Sequence, residues 1–404
     1  MSILFGHPGG NPNSHHAALA HFESGCLEAF CVPWMLTPGE LSVLGKLPRL
    51  SSWAARLERR CFRPLLDAPR IEGKSGELWR MARRILTPSL ADGMLSYEAN
   101  DWLMRTMKRE CHRPAVKAVH SYEDCSQWQF EEAARLGKAC IYDLPIGYYP
   151  WWEQRQAKLV RKYSDWLPPG GLPASHYVRP DQKRRELELA DLVFVPSTFV
   201  RQTVASFSDK KMAIAPYGVD LEFWRPDGER ESAGPLRFIY AGTCSLRKGI
   251  PVLLEAWGAA GLADASLELI GTWQFNPGRL ANLPLGVTYL SPMSREKLRA
   301  RYQGADVFVF PSFFEGFGLV ILEAMACGLP ALTTECTAGP DVSDEKSGRV
   351  VEAGNVDALV ASLRWFSEHR SRLPEMRVAA RAAAEKCTWE NYRRCVREAS
   401  APYS

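Results

Sequence analysis

The sequence predicts an α/β chain of two successive doubly wound domains facing a common cleft, followed by a terminal helix. Three observations predict it. The 404 residues exceed what one ordinary core organises. Short apolar runs alternate with helix-length segments in two separate sets, the pattern of parallel strands joined by crossover helices. Between the sets lies DLEFWRPDGERESAGP, polar and rich in Pro and Gly, which reads as an interdomain linker. The boundaries this implies are 1–216 for the first domain, 217–387 for the second and 388–404 for the terminal helix.

Ser2–Gly6 is an apolar run that reads as a buried strand, and HPGGNPNSHH is its exit loop. Asn13 or Ser14 would cap a helix starting near His15. A strand, a glycine-bearing turn and a helix start together form a place where backbone N–H groups can hold an anion. From Leu41 to Leu90 the chain is basic and amphipathic, as in WAARLERRCF and LWRMARRIL, with eleven Lys/Arg against four Asp/Glu. That stretch is either a solvated helical face or a surface that docks on an anionic membrane or an anionic acceptor. The runs AVKAVHS, KACIYDLP, ADLVFVPS and KMAIAPYG complete the first set of strands. The second set is LRFIYAGT, LELIGTW, VTYLSPM, ADVFVFPS and LPALTTE, with helices such as IPVLLEAWGAA between them. CTWENYRRCVREAS reads as the closing helix. In sheets of this kind ligands bind outside the carboxyl ends of the strands, so the cleft between the domains is the expected site.

Composition narrows the function classes. A hydrophobic content of 46% and a charged content of 24% describe a soluble globular chain, and a net charge of +4 gives no support to a nucleic-acid partner. Thirteen Trp and thirteen Tyr suit sugar stacking and ordinary cores equally. Eleven cysteines without a Cys-x-x-Cys pair indicate neither a zinc site nor a disulfide framework, and no metal site is expected. MSILFGHPGG lacks the basic-then-apolar pattern of a signal peptide, and no apolar run approaches the roughly 18 residues of a membrane span. The expected compartment is the cytoplasm, with the inner face of the membrane as the alternative that the basic stretch suggests.

Two constellations carry chemistry. In ADVFVFPSFFEGFGLVILEAMACGLPAL, VFVF is a strand, PSFFEGFG its exit loop and Leu319–Cys327 a helix ended by Gly328 and Pro330. Glu315 therefore lies in a loop at the carboxyl end of a strand, and Glu323 about a turn into the next helix. Between them the amides of Phe317, Gly318, Leu319 and Val320 open at a helix start, where unpaired N–H groups and the helix dipole favour negative charge. Gly316 and Gly318 would let a ligand approach the backbone. Carboxylate, anion-holding helix end, carboxylate matches the order of groups in a sugar nucleotide: hydroxyls, phosphates, ribose hydroxyls. The second constellation is YAGTCSLRKGIPVLLEAW, where Arg247 and Lys248 stand in a loop between a strand and a helix. Two fixed cations there suit a diphosphate and the charge that develops on it as a leaving group; an ordinary surface Arg-Lys pair is the bland alternative.

FPSFFEGFGLVILEAMACGLP resembles the Glu-x7-Glu segment of glycosyltransferase family 4, retaining enzymes of the GT-B fold, which pairs two Rossmann-like domains across a cleft. ELELADLVFVPSTFVRQTV, MAIAPYGVDLEFWRP, YAGTCSLRKGIPVLLEAW, LELIG and TWENYRR resemble further parts of that family, from about Lys138 to the end of the chain. The resemblance implies that the first domain takes the acceptor, the second the nucleotide-sugar donor, and that the closing helix packs back on the first. It places Glu315 at the transferred sugar, Lys248 and Arg247 on the diphosphate, and the Phe317, Gly318 and Leu319 amides on sugar or phosphate oxygens. Glu323 goes to the ribose, and Gly9 or Gly10 approaches the phosphates from the other domain. Gly242 and Thr243 belong to the phosphate loop, where many members have Arg in place of Thr243; Arg247 would supply that charge. Many members carry His in the loop after the first-domain strand, a segment that here reads IYDLPIGYY. This chain offers Asp143 there, with His15, His16 and His120 as substitutes on the acceptor or sugar side. Base contacts fall around Ile270–Thr272 and Ser291–Met293, giving Gly271, Thr272 and Met293 as candidates.

The activity this implies is retaining hexosyl or related transfer from a nucleotide-diphosphate sugar to a hydroxyl of a glycan, a lipid-linked saccharide or a small metabolite. The sugar nucleotide is a substrate, and no cofactor is expected. No Asp-x-Asp occurs, so metal-independent transfer is expected. Glycoside hydrolysis fits poorly, because its two carboxylates must flank one bond roughly 5–9.5 Å apart. A sugar-nucleotide epimerase, or a non-catalytic protein that binds a sugar nucleotide, remains as an alternative, and turnover assays with and without acceptor discriminate them.

Overall fold

The computed structural model describes residues 2–45, 57–86, 92–168, 171, 179–228 and 234–404. Its strands form two sheets. The first contains β1 (Ser2–Gly6), β2 (Leu27–Val32), β3 (Arg70–Glu72), β4 (Val116–Tyr122), β5 (Ala139–Asp143), β6 (Leu192–Val195) and β7 (Met212–Ile214), in the order β3-β2-β1-β4-β5-β6-β7. The second contains β8 (Leu236–Ala241), β9 (Ala265–Ile270), β10 (Val287–Leu290), β11 (Val307–Phe310), β12 (Ala331–Thr334) and β13 (Gly348–Val351), in the order β10-β9-β8-β11-β12-β13. All the pairings within these sheets are parallel. Central strands such as β1, β6 and β11 are buried on both faces, which is why they read as unbroken apolar runs rather than alternating ones.

Strand order reverses beside the first strand of each sheet, between β1 and β4 and between β8 and β11. A crevice opens at the carboxyl ends at such a reversal. In the second sheet the loops leaving β8 and β11 carry Arg247-Lys248 and Glu315. The topology thus brings together residues 67 positions apart in the chain.

The first helix spans Pro12–Glu23, three residues ahead of the His15 start predicted from the sequence, and its cap is Asn11 rather than Asn13 or Ser14. Proline suits the first turn because its missing N–H has no acceptor there anyway. The Asn11 N–H donates to Ser14 Oγ at 3.3 Å, and that hydroxyl donates back to the Asn11 carbonyl at 3.0 Å.

The terminal helix, Trp389–Ser400, starts where Thr388 Oγ1 accepts from the Asn391 N–H at 3.1 Å. It lies across the first helix: Trp389 stacks on His16 at 4.4 Å, and Arg393 and Arg397 reach Glu23 at 3.0 and 2.8 Å. A second segment crosses the other way. The helix Tyr149–Lys162 and the turn Ser164–Trp166 follow β5 but lie against the second domain. Lys162 and Tyr163 Oη meet Glu255 at 3.4 and 2.9 Å, and Trp166 packs on Phe275 at 5.3 Å. Each domain therefore lends helical structure to the other.

The basic stretch 41–90 is not one amphipathic surface. It contains β3 as well as the helix Lys74–Leu86, and Arg60 and Arg80 both turn inward to the buried Glu77 carboxylate, at 2.7 and 2.5 Å. Residues 46–56 and 87–91, Arg56 among them, lie outside the described residues. No helix among the described residues is long and apolar enough to cross a membrane.

Candidate active site

A cavity of about 280 Å³ opens at the switch point of the second sheet. Of the residues singled out from the sequence, Gly242, Arg247, Lys248, Glu315, Gly316, Phe317, Gly318, Leu319 and Val320 line it. The first domain adds Pro145 and Ile146 from the loop after β5, and the chain crossing between domains adds Tyr217.

Glu315 is the hub. One carboxylate oxygen accepts from Lys248 Nζ, from Arg247 Nη1 at 3.2 Å and from Ser312 Oγ at 2.8 Å. Arg247 also donates to the Phe314 carbonyl at 2.6 Å, and its own carbonyl accepts from the Phe313 N–H at 2.8 Å. Burial pulls the Lys248 ammonium below its ordinary range, and the neighbouring Glu315 opposes that pull. The two cations and the carboxylate are thus prepaired on the wall of the cavity. Opposite them, Gly318, with φ at +84°, caps the helix Leu319–Ala326, whose first amides have no intrahelical acceptor.

Gly316 lines the cavity, and its lack of a side chain has a second consequence. A Cβ at that position would overlap the Pro145 carbonyl, so its open side is filled by first-domain backbone. Its carbonyl accepts from Ser197 Oγ at 2.6 Å, and the Glu315 carbonyl accepts from the Gly147 N–H at 3.1 Å. Gly10 needs correction. The Arg59 carbonyl lies 2.6 Å from where its Cβ would stand, and the cavity does not reach it. The turn Leu57–Arg60, not a ligand, is what this glycine admits.

Glu323 stands one turn into its helix. Burial raises its carboxyl to about 7, while the guanidinium groups of Arg295 and Arg59 draw it back. Arg59 comes from the first domain, where the sequence marked it only as part of the basic stretch 41–90, and Arg295, which nothing local marks, stacks on Phe223 at 4.4 Å. Gly271 lies backbone to backbone against Gly242, and the Thr272 carbonyl accepts from the Cys244 N–H at 2.8 Å. Those contacts couple the predicted base-binding loop to the phosphate loop. Thr243 offers its carbonyl to Tyr240 Oη at 2.8 Å. Met293 packs at the edge of the second core, away from the cavity.

The acceptor-side histidines need correction. His120 is fully buried on β4, hydrogen-bonded to His21 at 2.9 Å and 3.9 Å from Asp143, so it cannot meet an acceptor. His15 stacks on Phe62 at 5.0 Å, and His16 is held between Phe62, Trp389 and Arg393. His16 belongs to the seam between the first and last helices, while His15 packs on Phe62 alone among these aromatic partners. Burial holds His15 down to about 4 and His16 down to about 3. Asp143 ends β5 just before the cavity-lining Pro145, and burial raises its carboxyl to about 8. No group of three or more His, Cys, Asp or Glu suited to a metal ion is found among the described residues.

Residues 235–369 match the family model of the glycosyl transferases group 1. The chain is 31% identical over 205 residues to a D-inositol 3-phosphate glycosyltransferase of Nocardiopsis dassonvillei, covering 45% of this chain and 48% of that protein. It is 37% identical over 105 residues to the O-antigen chain mannosyltransferase B of Escherichia coli, covering 26% and 27%. The chain spans about half the length of the inositol-phosphate relatives it matches. Among solved structures it is similar to sucrose-phosphate synthase from Thermosynechococcus elongatus, with a TM-score of 0.65 at 16% identity, covering 100% of this chain and 98% of that one. It is also similar to Anabaena HepE in complex with UDP, with a TM-score of 0.61 at 14% identity and both chains covered completely. The whole chain has the GT-B fold, and its second domain carries the similarity to the glycosyl transferases of group 1.

Proposed function

We propose that the protein is a retaining glycosyltransferase of the family 4 type, moving a sugar from a nucleotide-diphosphate sugar to a hydroxyl of a glycan, a lipid-linked saccharide or a small metabolite. The observation that carries this reading is the convergence of Arg247, Lys248 and Glu315 on one cavity beneath the open amino end of the helix Leu319–Ala326. An entering diphosphate takes the two cations from Glu315, which then faces the sugar. Glu323 receives the ribose hydroxyls, and the Gly271–Thr272 loop lies toward the base. As the bond from the anomeric carbon to the diphosphate breaks, positive charge builds on the sugar and the acceptor hydroxyl attacks the same face. The leaving diphosphate takes the acceptor's proton. The protein contributes position and fixed charge, not a covalent intermediate.

The test is a thermal-shift screen of UDP-, GDP-, ADP- and TDP-sugars, followed by release of nucleoside diphosphate with and without acceptors. One nucleotide series should raise the melting temperature, and Lys248→Ala with Arg247→Ala should abolish the shift. No shift and no turnover with any series would sink the reading, and conversion of the sugar nucleotide without acceptor would favour an epimerase. We propose further that transfer proceeds without a metal ion; activity lost to EDTA and restored by Mg²⁺ would count against that.

A peripheral position on an anionic membrane, at the cytoplasmic face, is a second reading for the 41–90 stretch. Val43, Leu78, Trp79 and Leu86 are exposed large apolar side chains in that stretch, which also carries Arg83 on the same helix as the last three. Co-sedimentation with phosphatidylserine vesicles should be weakened by Trp79→Ser with Leu86→Ser; no binding by the parent protein removes this reading.

A further inference from the structure

The loop that carries Glu315 is built by both domains. Phe314, directly before it, lies between two first-domain indoles: Trp151 at a ring-centroid distance of 5.9 Å with planes 19° apart, and Trp152 at 5.6 Å and 24°. Phe199 meets the same ring edge-on at 6.1 Å. Trp151 is backed by the Arg155 guanidinium 3.5 Å over its ring and by Phe199 at 5.0 Å. The helix that carries both indoles has no fully buried residue of its own. Both of its indoles find a partner across the domain boundary in Phe314.

Backbone contacts lock the same loop. The first domain donates to the Glu315 and Gly316 carbonyls through the Gly147 N–H and Ser197 Oγ, at 3.1 and 2.6 Å. The second domain holds the Phe314 carbonyl through Arg247 at 2.6 Å, and the Glu315 carboxylate through Lys248 and Arg247. Phe314 is therefore gripped by its ring from one side and by its carbonyl from the other. The far end of the same strap reaches the loop after β9, where the Asn276 N–H donates to the Trp166 carbonyl at 2.9 Å.

We propose that Trp151 and Trp152 are positioning residues. Acting through Phe314, they hold the Glu315 carboxylate where the transferred sugar arrives. The first domain then sets alignment of the sugar, while the second sets nucleotide affinity. This rests on the glycosyl-transfer reading above.

The test uses the full chain, with Trp151→Ala/Trp152→Ala, Trp151→Phe/Trp152→Phe and, from the other side of the contact, Phe314→Leu. Calorimetry reads the Kd of UDP and GDP. Steady-state kinetics read kcat and donor KM for release of nucleoside diphosphate from the sugar nucleotide that the parent protein turns over. The expected result is a kcat at least about tenfold lower in the double alanine variant and in Phe314→Leu, with donor KM and Kd within about threefold. The double phenylalanine variant should restore most of the rate, because a flat ring still stacks on Phe314. Unchanged kcat in both, or a fall in kcat accompanied by a comparable rise in Kd, would overturn the proposal. If the double alanine variant does not fold, Phe314→Leu alone decides. A parent protein that turns over no sugar nucleotide overturns the transfer reading and this one with it, whereas turnover indifferent to the variants overturns only this one.

Discussion

Glu315 and Glu323 are separated by seven intervening residues but stand in unlike surroundings, and their chemistry separates accordingly. Glu315 is saturated by two cations and a serine hydroxyl. On the proposed reading, removing it would free Lys248 and Arg247 for a diphosphate while leaving the sugar unsupported. Glu315→Ala should therefore lower kcat by about two to three orders of magnitude, the scale of losing a charged transition-state contact. Nucleoside-diphosphate affinity measured by calorimetry should stay level or rise; a tenfold loss of affinity would reverse the assignment. Glu323, half-buried and raised to about 7, is a stronger acceptor once ionised. Nucleotide affinity should therefore gain from raising the pH from 6 to 8 more in the parent protein than in Glu323→Gln, which should also bind more weakly at pH 8.

At the scale of elements, strands and helices were legible because each carries its own signal. Unbroken apolar runs marked the buried parallel strands, and Gly328 with Pro330 marked the end of the helix that now spans Leu319–Ala326. What lies against each glycine was not legible. Gly316 and Gly10 read as openings for a ligand, but backbone from a distant segment stands where the Cβ of each would be. Gly316→Ala should accordingly push the Pro145 carbonyl away from the Glu315 loop. A stability loss of about 1–3 kcal/mol, read from denaturant unfolding, is the usual scale for such overpacking. Nucleotide binding should persist, since the cations and the helix end stay in the second domain; unchanged stability would mean that the loops part at no cost.

Over the whole molecule the buried titratable groups pull stability in opposite directions with pH. Burial holds His7 and His15 down to about 4, His16 and His21 down to about 3, and His120 well below its usual range. As pH falls below about 6.5, the unfolded chain takes up protons on these imidazoles that the native state cannot, so stability is lost toward acid. Burial raises Glu123, Glu186 and Glu323 to about 7 and Asp143 to about 8. From the ordinary carboxylate range upward the native state holds those protons more tightly than the unfolded chain, so this contribution is lost as pH rises toward 8. Above about 6.5 the imidazoles no longer oppose it. The melting temperature should peak near pH 6.5 and fall toward pH 8.5, and Asp143→Asn should flatten the upper part of that fall. A melting temperature that climbs steadily to pH 8.5 would contradict the balance.

Sequence alone determined the two doubly wound units, the strand–loop–helix around Glu315 and the cationic loop at Arg247-Lys248, because periodicity and turn chemistry are local. It also marked His15, His16 and His120 as polar residues of interest, without revealing that the fold spends all three on packing. Only the tertiary structure decided that the two loops share one cavity, since strand order places them side by side at the switch point across 67 residues of chain. Only it showed the exchanged helices and the Trp151–Phe314–Trp152 stack. Contacts between distant segments depend on where two surfaces meet, and no local periodicity records that.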